Sequence, residues 1–420
     1  MLDIKFIREN PEIVQKASKA KKIDVNINHI LEIDKKRQEL QRSVQDLQAR
    51  RNAFAKSFKG KPAREQVEEG KKIKEKLEKE EHAFNAVNEE LNRLLLQIPN
   101  LAKPDVKLGK DESENEIIRK FKEPTKFNFK PKDHLELGEA LDIIDVERAA
   151  KVSGTRFAYL KNEAVLLEYA LLQFALDILL KKGFIPVTPP VLIKSPIMRG
   201  LGYMENGGDE DMFMITKDDL VLIGTAEHAI VPMHKDEVLA KKDLPRRYAA
   251  YSPAFRRESG SYGKDTRGIL RVHQFNKLEM VSFVAEGEDD REHEYLLSLE
   301  EKLFKLLDIP YQVIKMCTGD LGFPAARKYD IEAWMPGQNK YREVTSVSTV
   351  TDFQSRRLNM KYQDGNEKKY LQVLNGTAFS MNRPIIAILE NYQEEDGSVV
   401  IPEVLRKYIG KDIIKPTSNK

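Results

Sequence analysis

Cysteine is nearly absent from this chain of 420 residues. Cys317 stands alone, which excludes an internal disulfide framework and any zinc site built from several thiolates, and fits a reducing compartment. An inert, buried thiol is the expectation for it. Tryptophan is as scarce, with Trp334 alone, a residue expected in core packing. Neither sign of charge dominates: 70 Lys+Arg stand against 67 Asp+Glu, a formal net charge of +3. The whole chain therefore carries no bias towards nucleic acid, and any basic footprint must be local. Long apolar runs are missing too. The most apolar stretch, Ala164 to Leu180, is broken by Glu168, Gln173 and Asp177, which predicts a buried amphipathic helix and no membrane partner. The opening MLDIKFIREN carries Asp3 and Glu9 where a secretory leader is basic and then apolar, so a cytoplasmic location is expected. What the chain has is length and a hydrophobic content of 41%, enough for two or three domains with sizeable cores.

The first hundred residues carry a heptad pattern. Ile33, Leu40, Leu47 and Phe54 recur every seventh position, Val44 and Phe58 fill the alternate seam, and Arg37 and Arg51 interrupt it. After the turn pair Gly60 and Pro62 a second series follows: Ile73, Leu77, Glu80, Phe84, Val87, Leu91, Leu94 and Ile98. Two such helices joined by a short turn make an antiparallel coiled-coil hairpin, each arm about 45 Å long at 1.5 Å per residue. Residues 1–100 hold 22 Lys+Arg against 17 Asp+Glu. Arg50, Arg51, Lys56, Lys59, Lys61 and Arg64 cluster at the distal end with no acid among them. A solvated helix face is the ordinary explanation of such a run; an acid-free tip on a long hairpin favours a phosphate backbone as partner.

Pro99 and Pro104 end the second helix, giving an N-terminal domain over 1–104, a connector over 105–134 and a mixed domain over 135–420. In the last, polar and apolar residues alternate at period two in runs joined as hairpins, which predicts an α+β fold with an antiparallel sheet. GSYGK, from Gly260 to Lys264, has two residues between its glycines where a phosphate-binding loop needs four, and it is discarded.

The chemistry concentrates in a predicted strand pair, Tyr248 to Glu258 and Ile269 to Val284, joined by the loop Ser259 to Gly268. Period two places Arg256 and Glu258 on one face of the first strand, and Arg271, Phe275 and Glu279 on one face of the second. Charges of this kind are seldom buried without partners. A triphosphate would pair with the arginines, a planar base could stack on Phe275, and carboxylates could hold an ammonium. A cross-strand salt-bridge ladder on a wet face is the alternative. Thr225-Ala226-Glu227 follows the apolar run Leu220 to Ile223 and so sits at a strand end, and Glu343 with Thr345, Ser346 and Ser348 forms a second oxygen-rich cluster of the kind that suits magnesium bridging phosphates. Asn375-Gly376-Thr377 precedes Arg383 and Pro384, and a buried helix is predicted through Ile385, Ile386, Ile388 and Leu389, which puts Arg383 at a helix mouth. His228 and His234 are six apart and His273 lacks zinc-type companions, so all seven histidines are read as structural or exposed and no zinc is expected.

Taken together these segments resemble the seryl-tRNA synthetases of the bacterial type, members of the class II aminoacyl-tRNA synthetases. The likeness spans nearly the whole chain: the N-terminal hairpin, LGEALDIIDVERAAKVSGTRF, the proline pair of GFIPVTPPVL (motif 1), FRRESGSYGKDTRGILRVHQFNKLEM (motif 2), NGTAFSMNRPIIAILENYQ (motif 3), the TAE triplet and DIEAWMPG. The resemblance implies a class II antiparallel sheet flanked by helices and a two-step reaction, in which serine and ATP form seryl-adenylate and the tRNA 3′ end then accepts the seryl group. It implies that Arg256 binds the α-phosphate, Glu258 the adenine end and Arg383 the γ-phosphate, and that Phe275 stacks on the base, with Arg257, Arg271, Val272 and Glu343, Val344, Thr345 and Ser346 completing the ATP site. Arg256, Glu258 and Arg383 are the expected catalytic residues, and Glu343 and Ser346 the expected magnesium ligands. Thr225, Ala226, Glu227, Arg256, Glu279 and Thr377 are implied to hold serine. The family also implies a homodimer, with one subunit's hairpin gripping serine tRNA for the other's site, and charging of selenocysteine tRNA as well.

The chain departs from the family at Thr345-Ser346-Val347-Ser348-Thr349, where relatives usually read Ser-Ser-Cys-Ser-Asn. Loss of the asparagine at Thr349 bears on the fine support of the serine pocket, and Thr349→Asn is expected to change serine affinity modestly. Two other readings compete. An amino-acid-activating homologue that loads a carrier protein usually lacks or shortens the arm, which here is full length. A degenerate binding module would not be expected to retain Arg256, Glu258, Arg271, Glu279 and Arg383 together.

Overall fold

In the computed structural model the described residues are 1–57, 63–205, 207–259, 265 and 267–416. The chain divides into two compact units, Met1–Pro99 and Asn100–Lys420. In the first, α1 (Ile4–Glu9) and α2 (Pro11–Ala20) precede the long helices α3 (Ile27–Lys56) and α4 (Arg64–Leu96). Asn26 starts α3 by accepting the His29 N–H on its side chain, the device polar N-cap residues provide. Ile7, Val14, Val25, Ile27, Ile30, Leu91, Leu95 and Ile98 form the core at the base of the hairpin, and Val44, Leu47 and Leu77 with Phe84 continue the seam outward. The polar break at Arg37 has a physical reason. Asp34 is fully buried on the seam, and Arg37 and Arg8 each lie 2.9 Å from its carboxylate, so the seam carries a paired charge there.

The second unit is built on one eight-stranded sheet. Its strands are β1 (Glu116–Phe121), β2 (Ile185–Val187), β3 (Arg246–Phe255), β4 (Gln274–Val284), β5 (Tyr311–Lys315), β6 (Arg327–Met335), β7 (Lys340–Thr351) and β8 (Gln372–Ser380). Their order is β1-β5-β6-β7-β8-β4-β3-β2, antiparallel throughout except for the β2–β3 pair. The stretch read as a connector contributes the edge strand β1. The helices α5 (Asn162–Leu180), α6 (Asp289–Leu306) and α8 (Asn382–Asn391) share one continuous apolar core with the sheet, and α7 (Phe353–Leu358) joins a second core with Met198, Ile230 and Val281 through Leu358. α5 is the apolar stretch broken by Glu168, whose buried carboxylate accepts from Tyr251 and Asn276. Among the described residues no helix is long and apolar enough to cross a membrane. Cys317 is a free, buried thiol, as its isolation in the sequence suggests.

Two irregularities in the sheet matter for the site. Between the pairs Ile331↔Thr345 and Glu332↔Glu343 the extra residue Val344 bulges out of β7, and between Leu278↔Phe379 and Glu279↔Thr377 the extra residue Ala378 bulges out of β8. A bulge shifts the side-chain alternation by one and re-aims what precedes or follows it. Thr345 and Thr349 send their hydroxyls to Glu300 and Asp289 of α6, while Ser346 and Ser348 face the other way, and the bulge brings Glu343 to their side.

Candidate active site

The face of the sheet opposite α6 lines a cavity of about 720 Å³. Of the residues read as functional, Thr225, Glu227, Arg256, Glu258, Arg271, Val272, Phe275, Glu279, Glu343, Val344, Thr345, Ser346, Thr377 and Arg383 all border it. They come from β4, β7 and β8, from the mouth of α8, from the loop between β3 and β4, and from the segment that follows the strand Leu220–Leu222.

Three of them reach the cavity by a route other than the predicted strand alternation. β3 ends at Phe255 and β4 begins only at Gln274, so Arg256, Glu258 and Arg271 lie on irregular backbone. The Arg256 N–H still donates to His273 O at 2.9 Å, but the Arg257 N–H turns away to Asp211 O, and Glu258 adopts a left-handed φ of 56°. On the other side the Ile269 N–H goes to His134 and the His273 N–H to Arg156 O, which takes that segment out of the ladder. Arg257 does not border the cavity; its guanidinium sits over the Phe213 ring, 5.4 Å from the centroid. Ala226 is buried in the apolar core behind the site. Thr225 lies three residues beyond the strand Leu220–Leu222, and Glu227 opens a one-turn helix, Glu227–Ile230. The loop carrying Gly260 to Lys264 lies outside the described residues.

Several of the charges in the cavity are paired. Arg271 donates to Glu258 at 2.7 Å, Lys277 lies 2.5 Å from Glu279, and Arg383 contacts Glu343 through both its carboxylate, 3.0 Å, and its carbonyl oxygen, 2.6 Å. Against the partial burial that pushes it up, Arg383 and Lys328 hold the Glu343 carboxyl well below the usual carboxylate range, so it is ionised at neutral pH. Arg256 is oriented from two sides: its Nε donates to the Gly224 carbonyl at 3.0 Å, and its guanidinium carbon stands 5.6 Å from the Phe275 ring centroid. The Gly224 N–H in turn donates to His228 Nδ1 at 3.2 Å, which requires an unprotonated nitrogen there. Burial, with Arg256 and Lys277 nearby, pushes this imidazole down to about 3, so it stays neutral. Deeper in, burial and the neighbouring Glu279 push Glu227 up to about 7.

Four further cavity residues escape the sequence reading. Lys277 shares the parity of Phe275 and Glu279, and the alternation that selects those two includes it. His228 serves the cavity through the Gly224 peptide. Lys328, 3.2 Å from Asp330 on β6, and Tyr203, from the segment after the helix Ser195–Leu201, carry no local signal. Thr349 corrects an expectation. It is fully buried, its hydroxyl donates to Asp289 at 3.0 Å, and it faces α6 and not the cavity, so its difference from the family asparagine falls on packing. Trp334 is half-buried and packs edge-on against Tyr341. Among the described residues no group of three or more His, Cys, Asp or Glu side chains is placed to hold a metal ion.

On the hairpin, Arg50, Arg51, Lys56 and Arg64 are exposed, and Lys59 and Lys61 lie outside the described residues. The tip is less free of acid than the linear run implies, because α4 returns Glu69 to within 3.5 Å of Arg50.

Residues 1–102 match the seryl-tRNA synthetase N-terminal domain, and residues 213–392 match the tRNA synthetase class II core domain (G, H, P, S and T). The serine–tRNA ligase of Dictyoglomus turgidum is 44% identical over 423 residues, covering 99% of this chain and 100% of that protein. The crystal structure of seryl-tRNA synthetase from Pyrococcus horikoshii complexed with ATP superimposes with a TM-score of 0.93 at 41% identity, over 100% of both chains. The cytoplasmic serine–tRNA ligase of Naegleria fowleri in complex with AMP gives a TM-score of 0.89 at 31% identity, over 100% of this chain and 99% of that one. With two relatives above 40% identity end to end, and a hairpin and class II core both matched, the chain belongs to the seryl-tRNA synthetase family.

Proposed function

We propose that this protein is an ATP-dependent serine tRNA ligase working through seryl-adenylate in the cavity of the antiparallel sheet. The observation that carries the reading is the meeting, in one cavity, of a guanidinium held over an aromatic ring, Arg256 on Phe275, with the buried carboxylates Glu227 and Glu279. The first suits a nucleotide with its phosphates, the second an amino acid's ammonium. In the first step a serine carboxylate oxygen attacks the α-phosphorus, the bond to the bridging oxygen of the β-phosphate breaks, and pyrophosphate leaves. Arg256, pre-oriented by the Gly224 carbonyl, supports the charge developing on the α-phosphate, and Arg383, at the mouth of α8, grips the γ-phosphate. Glu258 and Arg271 serve the adenine end, with Val272, Val344 and Thr345 as walls. Thr225, Glu279 and Thr377 hold serine beside Glu227. No protein nucleophile is needed; in the second step the terminal hydroxyl of the tRNA attacks the acyl carbon and AMP departs.

Glu343 and Ser346 offer an ionised carboxylate and a hydroxyl on one face of β7, a hard-oxygen pair that fits a magnesium ion arriving with ATP. Magnesium so bound supplies charge neutralisation across the phosphates. A site that hydrogen-bonds the serine hydroxyl rejects alanine strongly, because its own polar groups would be left unpaired. The reading further includes a homodimer, a cytoplasmic location, and selenocysteine tRNA as a second acceptor. The arm speaks for tRNA over a carrier protein: α3 and α4 run 30 and 33 residues, and their distal end bears exposed Arg50, Arg51, Lys56 and Arg64.

The arm can be tested separately from the cavity. Residues 42–84 should be removed, sparing the base core that includes Ile30, Leu91, Leu95 and Ile98. The shortened enzyme is expected to form adenylate at the normal rate and to lose charging of serine tRNA by about a hundredfold or more. Charging at normal efficiency would remove the arm from tRNA recognition.

A further inference from the structure

Glu227 is the most constrained carboxylate of the cavity. It is 3% exposed, and its Oε1 receives two donors from elements far apart in sequence. Tyr203 Oη donates at 2.9 Å and Gln354 Nε2, from α7, at 3.2 Å. Gln354 is fully buried, and its Nε2 also donates to Leu201 O at 3.3 Å, tying α7 to the helix that precedes Tyr203. Tyr203 packs against the His228 ring with the centroids 4.7 Å apart. An amide nitrogen only donates, so Oε1 is committed as an acceptor, and Oε2 is the oxygen of Glu227 with no hydrogen bond among the described residues.

We propose that Tyr203 and Gln354 are positioning residues that lock one oxygen of Glu227 and present the other to the amino-acid substrate, so that they set serine affinity without touching ATP. The inference rests on the serine-activating function proposed above. Both donors favour the ionised form of Glu227, opposing burial and the Glu279 charge that together push it up to about 7. The charged groups facing it are Glu279 and Lys277 of β4, with Arg256 beyond Tyr203; His228 beside it is neutral. Removing a donor therefore lets the protonated form persist to higher pH, and a protonated Glu227 no longer attracts the serine ammonium.

The test is serine-dependent exchange of labelled pyrophosphate into ATP by the full-length Tyr203→Phe enzyme, with Gln354→Met as the second variant. Each is expected to raise KM for serine about tenfold, the loss of one hydrogen bond to a charged group, with KM for ATP within about twofold. The pH midpoint of kcat/KM for serine should move up by about one unit in each variant. An unmoved profile with unchanged KM for serine overturns the inference, as does a parallel rise in both KM values with a lowered melting temperature. If the unaltered enzyme shows no serine-dependent exchange, the proposed function and this inference fall together. A normal unaltered enzyme with indifferent variants sinks the inference alone.

Discussion

Replacing Arg256 by lysine keeps the positive charge in the cavity and removes the planar fork. Three interactions change. The 3.0 Å bond from Nε to the Gly224 carbonyl is lost, which ordinarily contributes about 1 kcal/mol. The stacking over Phe275, at 5.6 Å, weakens by about 0.5–2 kcal/mol. Most consequential is the conversion of a rigid pair of terminal N–H donors into one mobile ammonium at the α-phosphate that Arg256 is proposed to bind, where loss of a single preorganised donor costs about 10²–10³ in rate. Because lysine retains the charge, the low end applies, and kcat for serine-dependent pyrophosphate exchange should fall about a hundredfold. KM for serine should shift far less. The melting temperature should fall by only a few degrees, about 5 °C at most, the share of the two lost contacts in a unit of this size, since Arg256 stands at the cavity wall and closes no apolar core. Exchange kinetics at saturating serine and ATP, paired with thermal melts of the same preparations, give both numbers. A loss of threefold or less would show that the guanidinium has no preorganised part in the chemistry, and a hundredfold loss with a collapsed melting temperature would show that it acts through folding.

Two further outcomes concern the α6 side of the sheet. Glu300 is fully buried, its Oε2 accepts from Thr345 at 2.7 Å, and its Oε1 packs where a Cβ on Gly376 would stand 2.8 Å away. Burial foremost, and the neighbouring Glu279, raise its carboxyl well above the ordinary range. A group whose folded pKa is raised destabilises the fold as pH climbs past its unfolded pKa, about 4.3, because the unfolded chain then releases a proton that the folded one keeps. Glu300→Gln should therefore melt higher than the native chain by about 2 °C or more at pH 7.5, with the gain shrinking to nothing as pH falls towards that value; a variant that melts lower at every pH would contradict this. Thr349→Asn enlarges a side chain in closed space against Asp289, and overpacking of this kind costs about 1–3 kcal/mol. Melting temperature should drop while KM for serine stays within about twofold, and a serine KM that moves without a stability change would put residue 349 back in the pocket's service.

How far the sequence reaches depends on the kind of order involved. The hairpin is legible because heptad spacing is local and two-fold redundant: Val44 and Leu47 on one arm meet Leu77 and Phe84 on the other. The buried helix α8 is legible for the same reason, from an apolar run behind Pro384. Which residues border the cavity is largely legible through motif resemblance, whereas their geometry there is not. Period two cannot foresee the bulges at Val344 and Ala378, which set the faces of Glu343 and Thr377, nor the positive φ at Glu258 that takes it out of the strand. Arg257 sits beside Arg256 in sequence yet leaves the cavity, because its backbone N–H turns to Asp211. The clamp of Tyr203 and Gln354 on Glu227 joins positions up to 127 residues apart, a contact with no trace in local pattern. The same holds for Glu69, which the antiparallel return of α4 delivers to a tip that reads as free of acid.

Amino-acid-dependent exchange of labelled pyrophosphate into ATP, scanned over all twenty amino acids without tRNA, bears most directly on the cavity's chemistry. Exchange with serine and with no other amino acid is the expected result of the proposed roles of the cavity carboxylates Glu227 and Glu279 and of Thr225 and Thr377, which together would hold a small hydroxylated amino acid. Absence of exchange with every amino acid would contradict adenylate formation in this cavity, and exchange with a different amino acid would contradict the assignment of these four residues to serine.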